Sequence, residues 1–166
     1  MDLGLLIARV VLGVLMAGHG SQKLFGWFGG YGLAGTGGFF EGLGFKPGRL
    51  FAAAASLGEV ISGLLIALGL FGPIGPAILL SVMIVAAVSV HWHNGLFATS
   101  NGIELPLLYA TAAVTLALTG PGRFSIDALL SLGSLWTPVI VASVLAAGAV
   151  AGVVNLLLRR TPAAAA

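Results

Sequence analysis

The sequence predicts an all-α protein that crosses a membrane several times as a helix bundle. Apolar residues make up 58% of the 166-residue chain and charged residues only 7%, whereas soluble domains carry about 25% charged residues. The mean hydropathy of +1.11 leaves too little polar surface to cover a water-soluble globule. Since one span needs about 20 apolar residues, the chain has room for four or five spans and little else.

Five apolar runs are the predicted spans. They cover residues 3–24, 50–71, 75–91, 104–118 and 137–158. We expect the first run to be retained, because Asp2 precedes it, it exceeds the apolar core of a signal peptide, and no small-residue cleavage site follows it. The fourth run is short, at about 22 Å of helix. Thr137 and Pro138 are suited to cap and begin the last helix.

The connection between the first two runs, residues 25–48, is unusually rich in glycine and aromatic residues. It holds ten glycines and seven of the 14 aromatic residues. We predict a loop at the membrane surface in which residues 36–43 form a short amphipathic or re-entrant turn. Its expected interfacial anchors are Trp27, Phe28, Tyr31, Phe39, Phe40 and Phe45. The glycine pattern at 30–35 is not a dinucleotide fingerprint, since no strand precedes it.

The few charged residues predict an orientation. If the N-terminus lies outside, only Arg123 falls in the outer loops. The inner side then carries Lys23, Lys46, Arg49, Arg159 and Arg160. Because inner loops are enriched in Lys and Arg, we predict a multi-pass protein of the cell (inner) membrane, with the N-terminus outside and the C-terminus inside. A net charge of +2 gives no reason to expect a nucleic-acid partner.

Glu59 is the strongest single indication of function. It lies ten residues into the second run, about 15 Å from the start of that run, which is close to the middle of a bilayer. A carboxyl group at this depth must face the bundle interior and be protonated or paired with a cation or another donor. Two interpretations remain open: a buried structural hydrogen bond, or a role in handling protons or a ligand.

Other polar residues gather on one side of the membrane. Successive helices run antiparallel, so runs one and three end where runs two and four begin. His19 and Lys23 lie one helical turn apart and share a face. We therefore predict a polar pocket that has Glu59 at its bottom and opens to this side of the membrane. We predict no metal site and assign no catalytic residue. Its candidate residues are His19, Lys23, Glu59, His91, Asn94 and Glu104.

Two further polar or small-residue features have structural interpretations. Arg9 lies about four residues inside the first span, and we expect it to extend its charge outward to the membrane surface in a structural role. Gly148 and Gly152 form a small-xxx-small pattern suited to close helix contact. That contact lies either within one chain or between copies in a homo-oligomer.

Several motifs resemble those of the DoxX family of small bacterial and archaeal membrane proteins. They are HGSQKLFG (19–26), GFFEGLGFKPG (38–48), SLGEVISGLL (56–65), HWHNGLF (91–97), NGIELPLLYA (101–110) and GPGRFSIDALL (120–130). The resemblance implies a four-helix membrane domain over residues 1–130. Residues 131–166 then add one further transmembrane helix and a short basic tail. The same six candidate site residues are carried over by the resemblance.

The resemblance also implies a link to quinone-dependent oxidation. The family includes subunits of thiosulfate:quinone oxidoreductases. We therefore expect the membrane subunit of a quinone-linked oxidoreductase, with lipid, a quinone and a soluble redox partner subunit as its partners. Whether the chain is itself an enzyme stays open. The alternative is a non-enzymatic scaffold or small-solute carrier that anchors a soluble partner.

The cofactor expected from these features is a quinone that is not covalently bound. The chain has no cysteine, which excludes disulfides, thiolate metal sites and cysteine-ligated iron–sulfur clusters. A haem held by His19 and His91 is disfavoured, because histidine at a membrane edge usually only forms hydrogen bonds. Electrons would have to come from the partner subunit.

Overall fold

Residues 2–160 are described by a computed structural model and form helices and turns without any strand. The α-helices are α1 (Asp2–Phe25), α2 (Gly32–Gly42), α3 (Gly48–Leu68), α4 (Ile74–Ala86), α5 (Glu104–Thr119), α6 (Ile126–Leu129) and α7 (Pro138–Leu157). A π-helical turn (Ala87–His91) and a 3-10 turn (Trp92–Asn94) extend α4. The prediction of an all-α bundle that spans the membrane is confirmed. Only residues 2–160 are described, so the end of the predicted basic tail lies outside them.

Four helical segments are long and apolar enough to cross a membrane. They are Asp2–Phe25, Gly48–Leu68, Ile74–Asn94 and Pro138–Leu157. The remaining predicted span, the fourth in chain order, is α5, which has 16 residues and is shorter than the others. With its flanking turns it still joins the end of the third segment to the start of the last, so the chain passes through the bundle five times. The protein is a multi-pass membrane protein.

The core is built by α1, α3, α4 and α5. Their buried apolar side chains are Leu12, Met16, Ile66, Leu79, Met83, Ala113 and Leu116. Helix α7 packs outside these four, mainly on α4. The basic end of the bundle, as we call it, is the end at which α1 and α7 finish and α3 begins. It carries the five basic residues that the sequence places together.

Glycine brings α1 and α3 into direct backbone contact. A Cβ atom on Gly13 would collide with the carbonyl of Gly63, and a Cβ on Gly20 would lie 2.6 Å from the carbonyl oxygen of Ser56. Small residues allow such close packing between membrane helices. Because Gly20 lies three residues before Lys23, this contact holds the end of α1 against α3.

The segment predicted as a surface loop with a short turn at 36–43 contains an 11-residue helix, α2, which begins four residues before that turn. It packs on α1 and α3, and the hydroxyl of Thr36 donates to the carbonyl of Lys23 at 3.3 Å. Phe45 is fully buried, so its predicted place as an interfacial anchor is wrong. Its ring lies between those of Phe40 and Phe51, at centroid distances of 5.7 and 5.3 Å. The glycines of α2 leave room for this helix to lie on the protein rather than apart from it.

The glycines of α7 face α4 of the same chain. A Cβ on Gly148 would collide with the carbonyl of Ala77, and one on Gly152 would lie 3.0 Å from that of Ser81. The small-xxx-small pattern therefore packs within one chain.

The predicted cap of α7 is also present, since the Thr137 hydroxyl accepts a hydrogen bond from the backbone amide of Ile140, the third residue of the helix, at 3.4 Å.

The end of α7 is joined to the end of α2. The Arg159 side chain donates to the carbonyl of Leu43. The backbone amide of Arg160 donates to the carbonyl of Gly44 at 2.8 Å. This contact connects the last helix to the aromatic segment at the basic end.

At the opposite end Arg9 is buried rather than extended to the surface. Its guanidinium donates to the carbonyls of Ile66 at 3.4 Å and Ala67 at 3.1 Å, and also to Phe124. The expected outward extension is wrong, because carbonyls at the end of α3 and at Phe124 accept hydrogen bonds from the buried guanidinium. The role of Arg9 is nevertheless structural.

Asp127 ties together the turns at that opposite end. Its carboxylate accepts from the amides of Phe71 at 2.8 Å and Gly72 at 2.7 Å, and from the indole of Trp136 at 2.7 Å. The side chain is buried, at 1% exposure. These bonds join the α3–α4 turn to the segment that leads into α7.

Candidate functional site

A cavity of about 980 Å³ lies between α2, α3, α4 and α7. Its volume falls in the range of sites that hold drug-sized molecules, about 300–1,000 Å³. Most of its wall is apolar and comes from side chains such as Phe39, Phe40, Ile78, Val82 and Val144. A compound with a large apolar surface and few polar groups fits such a wall.

The main polar feature of the cavity is an ion pair between Lys23 and Glu59. The ammonium group of Lys23 donates to Oε1 of Glu59. The Glu59 side chain is 3% exposed and that of Lys23 is 36% exposed. Oε2 of Glu59 is buried and has no hydrogen-bond partner among residues 2–160. The cavity wall therefore holds an ion pair whose second carboxylate oxygen is buried and unpartnered among the described residues.

His91 is a third polar residue that lines the cavity. It ends the π-helical turn of the third span, and such turns occur frequently at functional sites. Its Nδ1 lies 2.8 Å from the carbonyl oxygen of Asn101. Because a carbonyl only accepts, Nδ1 must carry the proton, and Nε2 of the neutral ring is then an acceptor.

Asn94 and Glu104 lie outside the cavity wall and hold the loop that follows the third span. The Asn94 amide donates to the carbonyls of Val90 at 3.1 Å and Asn101 at 3.3 Å. Oε2 of Glu104 accepts from the amide of Ala98 at 2.7 Å. These contacts keep in place the loop on which the His91 ring rests.

His19 also lies outside the cavity wall. It is exposed on α1, and its ring meets that of Tyr109 on α5 edge to face at 6.3 Å. Positions four apart on a helix are offset by about 40°. This offset is enough to direct Lys23 towards α3 and His19 towards α5. The structure thus brings Lys23, Glu59 and His91 to one cavity and leaves the other three candidates around it.

The cavity wall also includes polar residues that the sequence-based set lacks, such as Thr36, Ser81, Ser89 and Asn155. Ser89 lies on the π-helical turn, and Asn155 lies near the end of α7. An asparagine inside an otherwise apolar run is a detectable signal, but nothing in the sequence places α7 beside Glu59. No three His, Asp or Glu side chains within residues 2–160 lie close enough together to bind a metal ion.

Comparison with protein-family models identifies the family of this chain. The DoxX family model matches residues 4–92, just over half of the chain. The chain belongs to the DoxX family. The match includes Lys23, Glu59 and His91 and ends before α5 and α7, so the motifs noted at 101–130 lie outside it. Searches of curated proteins and of solved structures found no match.

Proposed function

We propose that this DoxX protein binds a quinone in the cavity and acts as the membrane subunit of a quinone-linked oxidoreductase. The observation that carries the proposal is the Lys23–Glu59 pair set into a cavity whose wall is mostly apolar. A quinone is a flat apolar ring with two carbonyl acceptors. The apolar wall suits the ring, and the lysine donor suits a carbonyl.

The same groups suit the proton chemistry of a quinone. Reduction by two electrons takes up two protons, one on each oxygen. Lys23 donates a hydrogen bond to one oxygen of the oxidised ring, while the free Oε2 of Glu59 passes protons. The Nε2 acceptor of His91 matches a hydroxyl of the reduced ring. The electrons come from a soluble redox partner subunit.

Binding of a short-chain benzoquinone to the full chain in lipid nanodiscs tests the proposal. We expect saturable binding by isothermal titration, with affinity at least tenfold lower in Lys23→Met. Lys46→Met is the matched control, because Lys46 is exposed and lies outside the cavity wall. Folded wild-type protein that shows no saturable binding would contradict the proposal.

Purification from native membrane separates the proposal from its alternative. A quinone extracted with the protein supports the oxidoreductase role. A stoichiometric soluble partner without any quinone indicates the scaffold or small-solute carrier instead.

A further inference from the structure

The cavity is elongated along the bundle axis. On the third span its wall extends from Ile74 to His91. Seventeen residues of helix measure about 25 Å, which approaches the roughly 30 Å thickness of the hydrocarbon layer. The space is therefore a groove along the third span, much longer than a quinone ring.

The groove has a polar half and an apolar half. Gly58 lies against Val82 of α4, so the neighbouring Glu59 lies about halfway along the groove. On the opposite wall, Gly152 of α7 meets α4 at Ser81. Asn155 lies three residues after Gly152, almost one helical turn, and is therefore at nearly the same level as Glu59. From there to Ile74 the wall is formed mainly by apolar and glycine residues, namely Ala77, Ile78, Val144, Ala147 and Gly148, and Ser81 lies near the level of Glu59.

One long side of the groove is open where lipid would surround the protein. Ala54, Ala147 and Ala151 line it and are exposed although they lie within membrane-spanning helices. At the basic end, by contrast, α2 covers the groove and is joined to α7 through Leu43 and Arg159. A ligand therefore reaches the groove from the bilayer, whereas the sequence predicts a pocket open to the membrane surface at the basic end.

We propose that the apolar half of this groove holds the isoprenoid tail of the quinone, with the ring at Glu59 and the tail directed towards Ile74. The proposal rests on the proposed function. We call this apolar half the tail track. The small side chains of α7 leave it open, while the buried, unpartnered Oε2 of Glu59 marks the end that receives the polar ring. Since α7 lies beyond the DoxX match, the tail track depends on a helix outside the family-matched region.

Filling the tail track tests this inference. In Ala147→Phe the added ring occupies the apolar half, whereas in Ala146→Phe it points away, because Ala146 is exposed and does not line the groove. We measure binding of a long-chain and a tail-less benzoquinone to each full-length variant in nanodiscs. We expect Ala147→Phe to lose at least tenfold in affinity for the long-chain quinone alone, and Ala146→Phe to match wild type.

The outcomes distinguish the two proposals. If Ala147→Phe binds the long-chain quinone as wild type does, the tail track is overturned. It is also overturned if Ala147→Phe and Ala146→Phe lose affinity for both quinones to the same extent. Failure of wild type to bind even the tail-less quinone overturns the proposed function. If Ala147→Phe does not fold, Ala147→Leu provides the same comparison, and it too must affect the long-chain quinone selectively.

Discussion

The Lys23–Glu59 pair is the residue-scale feature that most needs an explanation. Taking two charges out of water costs several kcal/mol for each ion, and their attraction often does no more than offset that cost. Oε2 of Glu59 adds a further cost because it has no partner among residues 2–160. A stable bundle alone would be served equally well by apolar side chains here, which is why we assign the pair to ligand binding.

The variant Glu59→Gln tests the charge of this carboxylate. The amide keeps the shape of the side chain, so we expect normal insertion and folding together with at least tenfold weaker quinone binding. Isothermal titration in nanodiscs measures the affinity, and gel filtration checks the fold. A variant that binds as wild type does would show that the negative charge of Glu59 has no role in binding.

Glu59→Leu should be more damaging, since it leaves the Lys23 ammonium without its partner. Removing one member of a fully buried pair costs about 3–5 kcal/mol, and we expect less here because Lys23 is 36% exposed. Unfolding in SDS measures the loss. The double variant Lys23→Met/Glu59→Leu should regain most of the stability without regaining quinone binding. A double variant as unstable as Glu59→Leu would argue against the ion pair.

Arg9 gives a prediction about stability at the opposite end. Arg9→Met leaves the carbonyls of Ala67 and Phe124 without the guanidinium donor, whereas Ile66 keeps its hydrogen bond from the Gly69 amide, and we expect a loss of about 2 kcal/mol in SDS unfolding. Arg9→Lys should restore little, because an ammonium cannot reproduce the planar fork of donors. Full rescue by lysine would show that charge alone matters there.

At the scale of the elements, the glycine contact between α1 and α3 decides whether Lys23 reaches Glu59. A Cβ on Gly20 would lie 2.6 Å from the Ser56 carbonyl, whereas one on Gly18 would meet nothing within 4 Å. We expect Gly20→Ala to lower stability by about 1–3 kcal/mol and to weaken quinone binding.

Gly18→Ala is the matched control, and it should be neutral or slightly stabilising, since alanine favours helix. SDS unfolding and titration of both variants make the comparison. Equal behaviour of the two variants would contradict the role given to the α1–α3 contact.

Helix α2 shows where sequence reasoning fails at this scale. Its glycines and aromatic residues predict a surface loop, because glycine disfavours helix in isolation. In the fold, small residues let the backbone of α2 approach α3, as at Gly48, where an added Cβ would collide with Gly37. Packing outweighs propensity here, and the aromatic segment becomes one wall of the cavity.

At the scale of the whole molecule, the charge distribution predicts the orientation. Lys23, Lys46, Arg49, Arg159 and Arg160 lie at the basic end, and Arg123 pairs with Asp2 at the other end. From the positive-inside rule we predict that the basic end faces the cytoplasm. A C-terminal phosphatase that works only outside the cell should be inactive, and a C-terminal fluorescent protein that folds inside should be bright. An active phosphatase and a dark fluorescent protein would show that the C-terminus lies outside and that the predicted orientation is wrong.

The membrane class, the five apolar helix runs and the inward placement of Glu59 follow from the sequence, because hydropathy and depth along a span are local properties of the chain. The fold was needed to show that Lys23 rather than His19 meets that carboxylate, that α2 closes one end of the cavity, and that α7 forms its outer wall. These features depend on how far each helix is rotated and shifted against the next. Glycine contacts between segments far apart in the sequence set that arrangement, so no local pattern reveals it.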